Sequence, residues 1–225
     1  MPVRLLASQD KFNRAKSVST LRENMELIFG WIKDKRDERD YLHPTRRTVY
    51  LPSAVNLSTN LPLVRHQGNQ GSCAGFGIGA NIAATYNQNQ GDPEWDSPQW
   101  IYNLGRMFDG TLDRDSGTYP RSCLEQLTKF GLLKEHFWPY DGSKPDFNEP
   151  NQSQYNSSLK WANFAYYRCV DGVGGILSAL SEGHIVSIGS PWFSDWMNIG
   201  KDGKLPEITS NSPIVGGHET CLYGY

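Results

Sequence analysis

Val64-Arg65-His66-Gln67-Gly68-Asn69-Gln70-Gly71-Ser72-Cys73-Ala74-Gly75-Phe76 is a glycine-rich turn that runs into a single cysteine. A small-residue apolar run follows it: Gly77-Ile78-Gly79-Ala80-Asn81-Ile82-Ala83-Ala84. Phe76, Ala80, Ala83 and Ala84 share one face at helical spacing, which predicts a helix with Cys73 in its first turn. Gly77 and Gly79 lower helix propensity, so they fit a helix packed closely against its neighbours. The first turn of a helix presents unpaired N–H groups, and these, with the helix dipole, favour a thiolate over a thiol. Read by itself, this window is equally compatible with a buried, inert cysteine.

Composition bounds the rest. The chain has 225 residues, 38 % of them hydrophobic, with seven tryptophans, which suits one domain, or one domain with an arm, and a sizeable core. A formal net charge of −2 gives no global attraction to nucleic acid or to an anionic membrane, and neither is an expected partner. No apolar run approaches the roughly 18 residues of a membrane span. The start, Met1 to Ala7, turns polar too soon for a signal peptide.

Towards the N-terminus, Thr20 and Glu23 form a capping-box pattern. Leu21, Met25, Leu27, Ile28, Trp31 and Ile32 then recur at three- and four-residue spacings, which predicts a helix from Leu21 to about Lys35. The charged run Asp34 to Asp40 reads as a solvated helix end or linker rather than a binding surface. His43-Pro44-Thr45-Arg46-Arg47 reads as a hinge, dividing an N-terminal arm, residues 1–48, from a domain over residues 49–225.

Past the cysteine helix, Tyr86 to Asp92 is polar and loop-like. Ser97 and Pro98 open a helix with Trp100, Ile101, Leu104 and Phe108 as its apolar stripe. Gly117 sits in a turn before another helix, where Cys123, Leu124, Leu127 and Phe130 are core and Gly131 is the stop. Gly142 to Ser158 is rich in Asn, Ser, Pro and Gln and reads as a long surface loop. Ala162 to Val170 alternates like a strand, Asp171 to Leu180 makes a short helix, and Ile185 to Gly189 is a strand. Pro213 to Gly217 leads into His218.

Gln67-Gly68 followed by Gly71-Ser72-Cys73 resembles the active-site segment of the papain-like cysteine peptidases, and Gly216-Gly217-His218-Glu219-Thr220-Cys221-Leu222-Tyr223-Gly224-Tyr225 resembles the strand that carries that family's histidine. The resemblance implies an α+β papain-like fold: a helical left subdomain, an antiparallel β right subdomain, and a cleft between them for an extended polypeptide substrate. It implies Cys73 as nucleophile, His218 as its acid–base partner and Gln67 as an oxyanion donor. Gly71, Ser72, Gly117, Gly217 and Glu219 would meet substrate, Glu219 favouring a basic or polar side chain and raising the pKa of His218 by its charge. Related enzymes often carry a prosegment across the cleft, a role open to residues 1–48 alongside a structural arm or a means of self-association.

The same resemblance marks departures. Ala74 replaces the usual tryptophan after the nucleophile, and Gln70 stands where secreted relatives have a disulfide cysteine. With only Cys73, Cys123, Cys169 and Cys221, the chain looks like a disulfide-poor bacterial or bacteriophage branch, cytoplasmic or virion-associated. The family's orienting asparagine lies well past the histidine, whereas this chain ends at Tyr225, so a longer polypeptide or another chain is expected to complete the fold. His43, His66, His136 and His184 have no common zinc-site spacing, and no metal or cofactor is expected. The expected activity is peptide-bond hydrolysis; the alternatives are a catalytically weak or inactive module that binds peptide or serves a structural role in a larger assembly, and another acyl transfer, such as deamidation or transpeptidation.

Overall fold

The computed structural model describes residues 28–43, 51–89, 95–158 and 165–225. Helix α1 (Cys73–Asn89) follows the glycine-rich turn and lies at the centre of the fold. Its glycines serve as expected: a Cβ on Gly77 would come within 2.6 Å of Glu219 Cγ, and one on Gly75 within 2.5 Å of the Pro98 carbonyl oxygen. The helix therefore packs against a strand on one side and a helix on the other, closer than larger residues permit. It also runs further than the sequence predicts, since Tyr86 to Asn89 are helical rather than loop.

Helix α2 (Pro98–Asp109) begins where Ser97 Oγ accepts a bond from the Trp100 N–H at 3.2 Å, and it ends at Gly110 in the left-handed region. Helix α3 (Pro120–Phe130) stops at Gly131, whose N–H donates to the Leu127 carbonyl. Between α1, α2 and α3 lies the main core: Ala74, Ile78, Trp100, Ile101, Leu104, Cys123, Leu127, Leu132, Leu133 and Trp138. Trp100 is fully buried and its indole N–H donates to the Gly131 carbonyl at 3.1 Å. Trp100→Ala is expected to cost about 3–5 kcal/mol of stability, read from the midpoint of a urea unfolding curve.

Helix α4 (Gln152–Ser158) occupies the end of the stretch predicted as loop. Its Tyr155 packs on Trp100 and Phe130, so tertiary burial of one ring makes a helix from a polar segment. Helix α5 (Val173–Ser181) agrees with prediction. The strand predicted over Ala162 to Val170 shrinks to two residues, β2 (Arg168–Cys169), paired parallel with β1 (Leu42–His43); residues 162–164 lie outside the described part.

The second half is an antiparallel ladder of β3 (Val186–Phe193) and β4 (Ile214–Leu222). Ser190 stands opposite His218 and Gly189 opposite Glu219. Past β4, Tyr225 exchanges two backbone bonds with Val55, each 2.9 Å. A smaller core of Ala179, Leu180 and Val186 lies here, with Val55, Leu57, Cys169 and Leu222 against it. Among the described residues no helix is long and apolar enough to cross a membrane.

The helix predicted near the N-terminus is contradicted from Ile28 onward. Residues 21–27 lie outside the described part, but from Ile28 onward the chain is extended, not helical. Trp31 makes a parallel bridge with Thr118. Gly30, at the centre of the supposed helix, was the contrary signal, because an interior glycine costs a helix about 1 kcal/mol. The charged run is also no free linker. Asp40 is 5 % exposed at its side chain and takes Arg121 Nη2 at 2.5 Å and Arg168 Nη1 at 3.0 Å, while Arg121 Nη1 donates to the Lys35 carbonyl.

Candidate active site

The turn before Cys73 is held by a buried polar network. Gln70 and Gln99 donate to each other through both side-chain amides, at 2.9 and 3.1 Å. Gln99 donates on to Asn103, and Arg106 donates to Asn103 Oδ1 and to the Asp146 carbonyl. Gln70 thus fastens its turn to α2 by a reciprocal amide pair, and all four cysteines are free. Asp115 accepts from the Gly71 N–H and from Tyr102 Oη, and Tyr102 Oη accepts in turn from the Gly117 N–H at 3.1 Å. This bridge sets the spacing between the Gly71 and Gly117 loops. Neither Asp115 nor Tyr102 was marked by a sequence motif.

Cys73 is 1 % exposed. Burial pushes its thiol up to about 11, against the downward pull of contacts with the backbone of Glu219, Gly30 and Ala74. Desolvation thus outweighs the helix N-terminus, and the thiolate expected from the sequence is not the favoured form in this state. Ser72, expected beside substrate, is buried, and its Oγ lies 2.6 Å from Tyr140 Oη instead.

His218 lies in β4, its ring edge-on to Trp192 with centroids 4.8 Å apart. Burial depresses it to about 4, which overturns the expected upward shift from Glu219. Glu219 is itself pushed up to about 7 by burial, though Ser187 Oγ donates to its Oε1 at 2.6 Å. At 5 % exposure and packed on Gly77, its carboxyl is closed off from solvent. A carboxyl that is substantially protonated near neutrality exerts little charge on its neighbour.

The residues expected around the cleft converge on one segment, Ile28 to Ile32. The Gln67 side-chain amide donates to the Ile28 carbonyl at 2.8 Å and to the Gln70 carbonyl at 2.9 Å. Phe29 meets the His218 ring edge-on at 5.9 Å. Gly30 is buried against Gly71 and Gly117, where its carbonyl accepts from the Thr118 N–H at 2.9 Å. The Trp31 N–H donates to the Gly217 carbonyl at 3.0 Å, and the Ile32 N–H to the Thr118 carbonyl at 3.2 Å. The segment therefore bonds to both halves of the protein. Successive residues, Phe29 and Gly30, touch the imidazole and the thiol, and among the described residues no hydrogen bond joins Cys73 to His218 directly.

No family model matches the sequence. An uncharacterized peptidase C1-like protein of Acanthamoeba polyphaga mimivirus is 26 % identical over 242 residues, covering 92 % of this chain and 74 % of its own. Xylellain, a cysteine protease from Xylella fastidiosa, superposes with a TM-score of 0.79 at 25 % identity, over 88 % of this chain and 79 % of its own. The fold is papain-like. A procathepsin B from Trypanosoma congolense shares that fold at 11 % identity and a TM-score of 0.69, over 97 % of this chain and 82 % of its own. The papain-like relatives come from a virus, a bacterium and a protozoan, so they single out no bacterial or bacteriophage branch.

Acid is expected to loosen the segment. A histidine depressed from 6.5 to about 4 binds fewer protons while residues 28–32 lie in place than when they are released, so its contribution to holding them is present above pH 6.5 and lost as the pH falls towards 4. Glu219 opposes this, its contribution being present below 4.5 and lost on rising through about 7, but it packs on Gly77 and Ser187 of the body. Asp34, raised by burial, also opposes opening at the acid end. Cys73 titrates only above its ordinary value of 9.0. Between pH 7.5 and 5 the open fraction should rise on the order of tenfold, seen as faster hydrogen exchange at residues 29–32. His218→Asn should abolish that acid response.

Proposed function

We propose that Cys73 and His218 are the nucleophile and the acid–base partner of this cysteine-type peptidase, and that residues 28–32 hold it closed. The observation that carries this is the Ile28 carbonyl oxygen seated on the Gln67 amide at 2.8 Å, one residue before the ring that meets His218. That amide already grips a peptide carbonyl oxygen, which is its task towards a scissile bond. With the segment displaced, water and substrate reach the cleft, burial is relieved, and His218 takes the proton of Cys73. The thiolate attacks the carbonyl carbon, and the oxygen's new charge is met by the Gln67 N–H and the Cys73 backbone N–H. The imidazolium returns its proton to the leaving amine. Water then cleaves the thioester, with the imidazole as base.

A cleft that pairs with extended backbone at Thr118 and Gly217 suits an internal stretch of polypeptide, hence an endopeptidase. Gln67→Ala should lower kcat/KM by about 10²–10³, the loss of one oxyanion donor. With the segment displaced, a thiol-reactive epoxide should label Cys73 alone. Absence of labelling in a protein whose segment has been displaced would favour a peptide-binding module without hydrolysis. Capture of an added amine by the acyl-enzyme would favour transpeptidation.

A further inference from the structure

Sequence spacing kept the histidines apart, but folding brings two of them to one carboxylate, far from Cys73 in the chain. His43 ends β1, at the far end of the extended arm, while Glu182 and His184 flank Gly183 in the turn from α5 to β3. One ligand atom from each of the three lies within 4.8 Å of the other two. His43 Nε2 is 3.6 Å from Glu182 Oε2, and the rings of His43 and His184 meet edge-on with centroids 5.7 Å apart. The turn is built to present these groups. Gly183 takes a φ of 90°, which a residue with a side chain rarely adopts. The His184 N–H donates to the Ala179 carbonyl at 3.0 Å, and Ser178 Oγ donates to Glu182 Oε1 at 3.2 Å. The Ser178 bond fixes the direction in which the Glu182 carboxylate points.

We propose that His43, Glu182 and His184 form a site for a divalent transition metal of the zinc class. Two imidazoles and one carboxylate are a known donor set for such an ion, with a fourth corner left to water. Bonds of about 2.0–2.1 Å in a tetrahedron put ligand atoms about 3.4 Å apart. The His43–Glu182 pair stands at that spacing, at 3.6 Å, wider than a good hydrogen bond. The widest pair closes by at most about 1.4 Å, the difference between 4.8 Å and that tetrahedral edge. Exposed Glu182 and His184 make this adjustment by side-chain rotation, while His43, 12 % exposed, stays fixed. His43 Nδ1 is buried and takes no hydrogen bond, so the ring meets the site through Nε2.

The ligands come from both sides of a joint: His43 from the arm and the other two from the body. Metal binding therefore clips the arm down, a consequence that rests on the proposal that residues 28–32 close the cleft. If an open arm withdraws His43, a metal at one hundred times its Kd shifts the balance towards closure by up to about a hundredfold.

Calorimetric titration of the whole chain with Zn²⁺ should show one site, weakened at least tenfold by His43→Ala and by His184→Ala. Co²⁺ should give the visible bands of a four- or five-coordinate ion, lost in both variants. His184 is exposed, so that variant keeps its fold, which far-ultraviolet circular dichroism verifies. Binding that neither substitution weakens, or no binding, overturns the site. The link to the arm has its own readout: Zn²⁺ should slow epoxide labelling of Cys73 in the parent chain and not in His184→Ala. Equal slowing in both would mean that zinc acts at the thiol, and would overturn the link. Failure of a displaced arm to expose Cys73, without any metal, would instead defeat the closure proposal and leave the metal site standing.

Discussion

Cys73→Ala, tested with the cleft open, is expected to lower peptide hydrolysis by a factor of about 10⁴ or more. A nucleophile, its base and their oxyanion donors act as one unit, so removing the attacking atom leaves only the help that binding and the donors give to water. The side chain is small and buried, so alanine leaves a void of one sulfur atom and little strain. Substrate binding should survive. Fluorescence anisotropy of a labelled peptide would show this, separating lost chemistry from a lost cleft. Hydrolysis within tenfold of the parent would place the reaction on another residue.

Gly30→Val is expected to raise the rate of epoxide labelling at Cys73 by about a hundredfold. A Cβ at Gly30 would overlap the Gly71 carbonyl oxygen, which is backbone and does not move aside cheaply. The Gly71 loop is itself tied down through its N–H to Asp115. The arm must therefore leave rather than the loop. A hundredfold corresponds to about 2.7 kcal/mol of lost closed-state preference. Gly30 meets the Cys73 thiol through its backbone alone, and the substitution alters none of Cys73, His218 and Gln67, so the side chains of the opened cleft are the native ones. An unchanged labelling rate would show that residues 28–32 do not limit access to the thiol.

Local features of the fold were legible wherever local chemistry decided them. The Ser97 cap, Pro98 at the helix start, the Gly131 stop and the close packing implied by Gly77 were all readable as sequence and are all present. Failures fall where distant parts of the chain decide. Leu21 to Lys35 has helical periodicity, yet Ile28 to Ile32 finds its backbone partners in Gln67, Thr118 and Gly217, far along the sequence. Those partners are glycine loops and the outer edge of β4, which pair with extended chain and not with a helix. Likewise no local pattern announces that Asp40 meets Arg121, or that Gln152 to Ser158 becomes a helix beneath the Tyr155 ring.

The candidate site divides in the same way. Cys73, His218 and Gln67 were read from their motifs, and all three lie along one segment of bound backbone. Their protonation was misjudged. The helix N-terminus is a property of the cysteine's own turn and can be read from sequence, but burial by a segment more than forty positions earlier cannot. Glu219 shows the same limit, since its charge depends on how much water Gly77 and Ser187 exclude.

The amide clasp between Gln70 and Gln99 has a chemical corollary. A catalytic sulfur works only while unoxidised, and the reductants that keep it so also sever cystine bridges. Here the loop bearing Cys73, the proposed nucleophile, is fastened by nitrogen and oxygen alone, and no sulfur–sulfur bond is at stake. Dithiothreitol should revive the enzyme after reversible oxidation without softening the ground beneath the proposed nucleophile.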